Sequence, residues 1–193
     1  MPPKLFLAIL AGAAVAVVLV SSRPKAVDEV ALQAEAAVLT KDFGASLLGI
    51  LKGALETSGP EGAVDFCNKE APTIAEGASK RSGWKIARTS LKPRNPASAP
   101  DEFERAVMTE FVARIAAGEP AVSLKRAEIV EHDGQRSFRY VQAIPTAELC
   151  LTCHGSELKP AVTAKIKQLY PADQATGFRA GDMRGIFTLR REL

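Results

Sequence analysis

A chain of 193 residues that is 47% apolar and 24% charged holds enough apolar side chain for one packed core, which excludes global disorder. Its 14 Gly and 12 Pro are too few for a collagen-like or low-complexity class. A formal net charge of +3 is too small for the electrostatic footprint of a dedicated nucleic-acid binder, so no nucleic-acid partner is expected.

The N-terminus carries the first signal. Leu5 to Val20 is an unbroken apolar run of 16 residues behind a single cation, Lys4. A membrane-spanning helix needs about 20 apolar residues. The run therefore suits the apolar core of a signal peptide, with Val20-Ser21-Ser22 as a small-residue cleavage site, or else a short uncleaved signal-anchor. Residues 1–22 are expected to be that segment and residues 23–193 a single domain. The expected location is periplasmic or otherwise extracytoplasmic, with membrane contact only through residues 5–20. No cysteine follows the run, which excludes a lipid anchor there.

Apolar residues then recur at helical spacing from Val27 to Leu55, which predicts one long amphipathic helix, or two separated near Gly44. Thr57-Ser58-Gly59-Pro60 stops it. A second helix is expected from about Glu61 to Lys80, with Val64, Cys67, Ala71, Ile74 and Ala78 on its inward stripe and Pro72 as a point of bending. Residues 84–100 read as a short strand and a long ordered loop. Asp101 to Ala117 reads as a helix, with Phe103, Val107, Phe111 and Ile115 four residues apart. Residues 122–131 and 136–144 predict a hairpin around His132-Asp133-Gly134-Gln135, because Asp-Gly tolerates the positive φ of a tight turn. Short helices are expected at 150–154 and 161–169, and a last strand at 184–190. The fold class is α+β, an antiparallel sheet with flanking helices.

Cys150-Leu151-Thr152-Cys153-His154 has the C-x-x-C-H spacing of covalent haem attachment. On a helix Cys150 lies three residues before Cys153 and four before His154, so all three side chains address one haem c. The sulfurs bond its vinyl-derived carbons and the imidazole ligates the iron. A thioredoxin-like dithiol would need a βαβ setting that is missing here. A zinc site would need four ligands, and only Cys67 and His132 are left to complete it.

Cys67 is then the odd cysteine. It is either a small core residue or the second axial ligand of the iron. His132, Met108, Met183 and an empty sixth position compete for that role. Between Glu76 and Asp101 the chain has six cations and no carboxylate. Arg matches carboxylate geometry in a bidentate fork, and Arg88 and Arg94 are the expected partners of the haem propionates.

Three blocks carry a family resemblance: Phe66 to Pro72 (FCNKEAP), Gly83 to Glu104 (GWKIARTSLKPRNPASAPDEFE) and Ala147 to Gly155 (AELCLTCHG). With these the chain resembles the PAS-like c-type haem domains, found alone or as extracytoplasmic sensor inputs. The resemblance spans roughly residues 27–193. It implies a PAS-like antiparallel sheet with flanking helices and a long N-terminal helix, one covalent haem, and His/Cys axial ligation by His154 and Cys67. Ser98 stands where the family often has Asn, and Phe103 where Trp is common.

The expected function is a redox- or gas-responsive haem module. A low-potential periplasmic electron carrier is the alternative. A haem peroxidase is the third reading, for which His132 is the one available acid–base residue. An enzyme is not expected. No kinase or methyl-accepting segment follows, so the expected partner is a redox protein or a separate signal-transduction protein.

Overall fold

The structure is a computed structural model and describes residues 26–193. The expected signal peptide or anchor lies outside the described residues. Among these, no helix is long and apolar enough to cross a membrane.

The chain enters helix α1 (Glu29–Ser82) at Asp28, whose side chain accepts from the Ala31 N–H. Inside α1 one residue leaves helical geometry, Gly59, at φ 66° and ψ −176°. That conformation is open essentially to Gly alone, and the following Pro60 is well suited to start a helix. The chain reverses there into two arms, residues 29–58 and 60–82. Leu39 and Phe43 of the first arm and Ile74 and Ala78 of the second line one cleft. The break therefore falls at Gly59 and not near Gly44. Gly44 is helical, and its missing Cβ leaves room for the Phe187 ring, which would lie 3.1 Å from one. Pro72 sits inside the second arm without disturbing its helical dihedrals.

After Gly83 the chain turns back as β1 (Lys85–Thr89). A 3-10 turn at Pro96–Ser98 leads to α2 (Glu102–Ala116), which opens with a capping box between Asp101 and Glu104. Strands β2 (Lys125–His132) and β3 (Gln135–Pro145) form the expected hairpin, with Asp133 at φ 51° and Gly134 at φ 74°. The strand β2 starts later than the hydrophobic pattern implied, because residues 121–123 form a second 3-10 turn. Short helices α3 (Glu148–His154) and α4 (Pro160–Leu169) precede the last strand, β4 (Met183–Glu192).

The sheet is antiparallel throughout, in the order β1-β4-β3-β2. The last strand thus lies in the middle, between the first and the hairpin. Phe138, Tyr140 and Leu189 on one face pack with Trp84, Ile86, Ala36 and Phe43 under the α1 arms. Val141, Ala143 and Ile186 on the other face pack with Val107, Met108 and Phe111 of α2. The result is an α+β fold of three layers. Each fully buried large side chain in these cores contributes on the order of 2 kcal/mol.

A register shift between Ile144 and Pro145 ends the β3–β4 ladder. The chain leaves the sheet there and starts α3 three residues later. Thr146 N–H donates to the Asp182 carbonyl at 2.8 Å, and Gly181 N–H returns to Thr146 O at 2.9 Å. These bonds seat α3 beside the segment that leads into β4.

Candidate functional site

The seven-residue helix α3 carries Cys150, Cys153 and His154, all half-buried. It is held at its C-terminal end by the loop 173–178. Phe178 N–H donates to His154 O at 3.0 Å and Gly177 N–H to Gly155 O at 2.9 Å. The ring of Phe178 meets the His154 imidazole edge to face, 6.3 Å between centroids.

His154 Nδ1 lies 2.7 Å from the carbonyl oxygen of Ala175. A carbonyl can only accept, so Nδ1 carries the proton and donates it. Arg184 Nε points at the same nitrogen from 3.2 Å. The two bonds exclude each other, and the shorter one to the carbonyl wins, so Arg184 acts on the imidazole through its charge. Burial, and then the charges of Arg184 and Arg94, hold His154 well below the usual histidine range, against the small opposing pull of the Ala175 bond. The imidazole is neutral, with its proton on Nδ1 and its lone pair on Nε2. That is the state a metal-ligating histidine needs.

Cys67 sits on the second arm of α1, one turn after Val64. Val64 packs with Val162 and Ile166 of α4 and with Cys153. Lys165 pairs with Asp65 at 2.6 Å and fixes α4 to the same arm. Cys67 is half-buried; burial pushes its thiol up, while Arg88 and Arg94 pull it down. Burial also raises the Cys153 thiol, with Arg94 opposing it and Cys67 and Cys150 adding to it. The structure thus brings Cys67, Cys150, Cys153, His154, Arg88 and Arg94 into one neighbourhood. Among the described residues no three His, Cys, Asp or Glu side chains close on a common point, as a bare metal ion would require.

The two arginines differ. Arg94 Nε donates to Asp173 Oδ1 at 3.1 Å, and its Nη2 reaches the carbonyls of Cys153 and Ala175. It is a tie between α3 and the loop that orients His154, so most of its donors are spent on protein acceptors and not free for a propionate. Arg88 makes no ion pair or hydrogen bond among the described residues. Its side chain is solvent-accessible, yet enough protein surrounds it that desolvation lowers its pKa.

His132 is set apart from this neighbourhood. It lies at the hairpin tip, 85% exposed, beside Asp133. The candidate site lies at the other end of β3, roughly 30 Å away at ~3.3 Å per strand residue. Met108 is fully buried in the α2 core, and Met183 packs partly buried against the same cluster.

Sequence reading missed two contributors. One is the Ala175 carbonyl, which any residue type would supply and which therefore leaves no mark in a sequence. The other is Arg184, at the start of β4. Its Nη1 donates to Ser90 Oγ at 3.1 Å, and burial with the neighbouring Arg94 and Arg88 charges takes its pKa down to about 10. An isolated Arg before a strand carries no spacing signal.

The sequence profile of the Tll0287-like family matches residues 14–191. The chain belongs to the Tll0287-like family. Its fold is similar to the crystal structure of the cyanobacterial heme-protein Tll0287, with a TM-score of 0.60 and 23% sequence identity, over 81% of this chain and 91% of that chain. No curated protein matches it. The family match runs from the apolar N-terminal run through β4, so it covers both α1 arms and every residue of the candidate site.

Proposed function

We propose that this Tll0287-like protein carries one covalently attached haem c. In this reading Cys150 and Cys153 would provide the thioether sulfurs, and His154 and Cys67 would hold the iron. The observation that carries it is the 2.7 Å bond of His154 Nδ1 to Ala175 O, which leaves Nε2 as the free donor. Fixing one ring nitrogen with a backbone carbonyl is how proteins orient a metal-ligating imidazole. The C-x-x-C-H spacing on α3, the nearness of Cys67 and the fold shared with the heme-protein Tll0287 support the same reading. The four-strand sheet between two helical layers supports the PAS-like resemblance.

When bound, the haem supplies a one-electron couple and an affinity for small diatomic molecules. The chain's own residues set how it is used. Cys67 as thiolate favours the oxidised state, and Arg88 and Arg94 offset the cost of keeping that sulfur ionised. Burial favours the neutral thiol, so of the two residues that would hold the iron Cys67 would be the one that more readily takes a proton. That makes a redox- or gas-responsive module the preferred reading. The module would lie outside the cytoplasm, with residues 1–22 as its export signal or anchor and a redox protein or separate signal-transduction protein as its partner. The distance of His132 from the site argues against a peroxidase, and we read the protein as non-enzymatic.

The test is to express the full chain in cells able to mature c-type cytochromes and to titrate the product optically with and without CO. Haem retained after denaturation, with both thiols of Cys150 and Cys153 blocked to alkylation, is expected. CO binding on reduction is expected for the responsive module. Stable six-coordinate spectra in both states would instead assign a low-potential electron carrier. A colourless chain with both thiols free would overturn the assignment.

A further inference from the structure

We propose that Arg88 and Arg184 form a two-guanidinium cradle for the pair of propionate carboxylates of the haem, and that Arg94 stands outside it. This rests on the haem assignment above. Arg88, Arg94 and Arg184 gather around His154. The one carboxylate that reaches them is Asp173, and it is already spent: Oδ1 accepts from Arg94 Nε at 3.1 Å and from Ala175 N–H at 2.9 Å. No ion pair reaches exposed Arg88 or half-buried Arg184 from the described residues, and Arg184 stands apart in this from the other half-buried or buried arginines, Arg94, Arg114, Arg126, Arg139 and Arg190, which each have one.

The end of β1 lies beside the start of β4, and the charge of Arg88 is felt at Arg184. In the β1–β4 ladder Arg88 pairs with Phe187, three residues from Arg184. Ser90, two residues after Arg88, accepts from Arg184 Nη1 at 3.1 Å and donates to the Arg184 carbonyl at 2.8 Å. Ser90 therefore fixes the Arg184 fork while leaving its Nη2 without a protein partner among the described residues. Arg184 is half-buried and Arg88 solvent-accessible, and with no counter-ion at either among the described residues their mutual repulsion is uncompensated in the free fold. Two carboxylates balance them in number, and each guanidinium offers the planar donor edge that a carboxylate accepts. A free anion such as phosphate would satisfy the same donors, so the test has to separate the two sources.

The experiment uses the haem-loaded full chain and compares wild type with R88Q, R184Q, R184K and a control, K125Q, which removes an exposed cation from β2. Resonance Raman spectra in the propionate-bending region and the midpoint potential are measured without phosphate and with inorganic phosphate added. For the cradle, R88Q and R184Q each move the propionate band to lower frequency and lower the potential, R184K restores most of both, K125Q changes neither, and phosphate has no effect on wild type. R184K retains the charge and serves where R184Q fails to mature. A phosphate-dependent potential with an unmoved propionate band would overturn the proposal in favour of a free-anion site. Unmoved bands and potentials in both Gln variants of a haem-bearing protein would overturn the cradle alone. A wild type without haem would overturn it together with the assignment on which it rests.

Discussion

The proton that His154 Nδ1 gives to the Ala175 carbonyl, across 2.7 Å, decides which nitrogen of the imidazole is left as a donor. The carbonyl is itself held in place: Ala175 N–H donates to Asp173 Oδ1, and Arg94 binds both Asp173 and Ala175 O. The orientation of one ring therefore depends on a buried ion pair two elements away.

That dependence predicts a double effect for Arg94→Gln. The pair is 12% and 9% exposed at its two side chains, so breaking it leaves a carboxylate poorly solvated. Loss of about 3 kcal/mol in urea unfolding is expected. Asp173→Asn should cost a similar amount, and the double variant clearly less than the sum. The haem-loaded R94Q protein should also show a broadened Soret band as His154 loses its fixed orientation. Additive losses would show that the two residues act independently.

Cys67 gives the most direct test of the axial pair. Cys67→Ala should shift the ferric Soret band and raise the midpoint potential, because a thiolate favours ferric iron. Stability should fall by no more than about 1 kcal/mol, since a half-buried sulfur is removed from a small site. An unchanged spectrum together with an unchanged potential would reduce Cys67 to a packing residue.

The haem-free chain, made in cells that do not mature c-type cytochromes, should lose stability in mild acid. The folded His154 has its pKa well below 6.5, so the unfolded chain binds a proton that the folded chain does not. Stability from this group is present above pH 6.5 and is lost as pH falls below it. The slope is at most about 1.4 kcal/mol per pH unit. His154→Gln should flatten urea-unfolding stability between pH 6.5 and pH 5. A wild-type curve that is already flat there would contradict the buried neutral imidazole.

Gly59 sets where the second arm, and with it Cys67, stands. Its φ of 66° with ψ of −176° is a conformation that a Cβ opposes. Gly59→Ala is expected to destabilise by about 2 kcal/mol. In the haem-loaded protein it should perturb the same Soret band as Cys67→Ala, more weakly. A change in stability with no spectral change would separate the hinge from the site.

Much of this protein was legible in one dimension. Helical periodicity located both α1 arms and α2, Asp133-Gly134 located the hairpin, and the cysteine spacing located α3, because each of these is set by contacts a few residues apart. The stop at Thr57-Ser58-Gly59-Pro60 was legible too, but the split offered as an alternative near Gly44 does not occur, since a glycine in a sequence does not say whether it serves a turn or a close approach. Gly44 serves the Phe187 ring, a contact made across the sheet. Arg88 and Arg94 read alike in the sequence, and only the fold gave Arg94 to Asp173 and left Arg88 open. The central place of β4, the carbonyl of Ala175 and the approach of Arg184 to His154 were decided by tertiary structure alone. They join segments far apart in the chain, through backbone atoms and lone cations that no local pattern encodes.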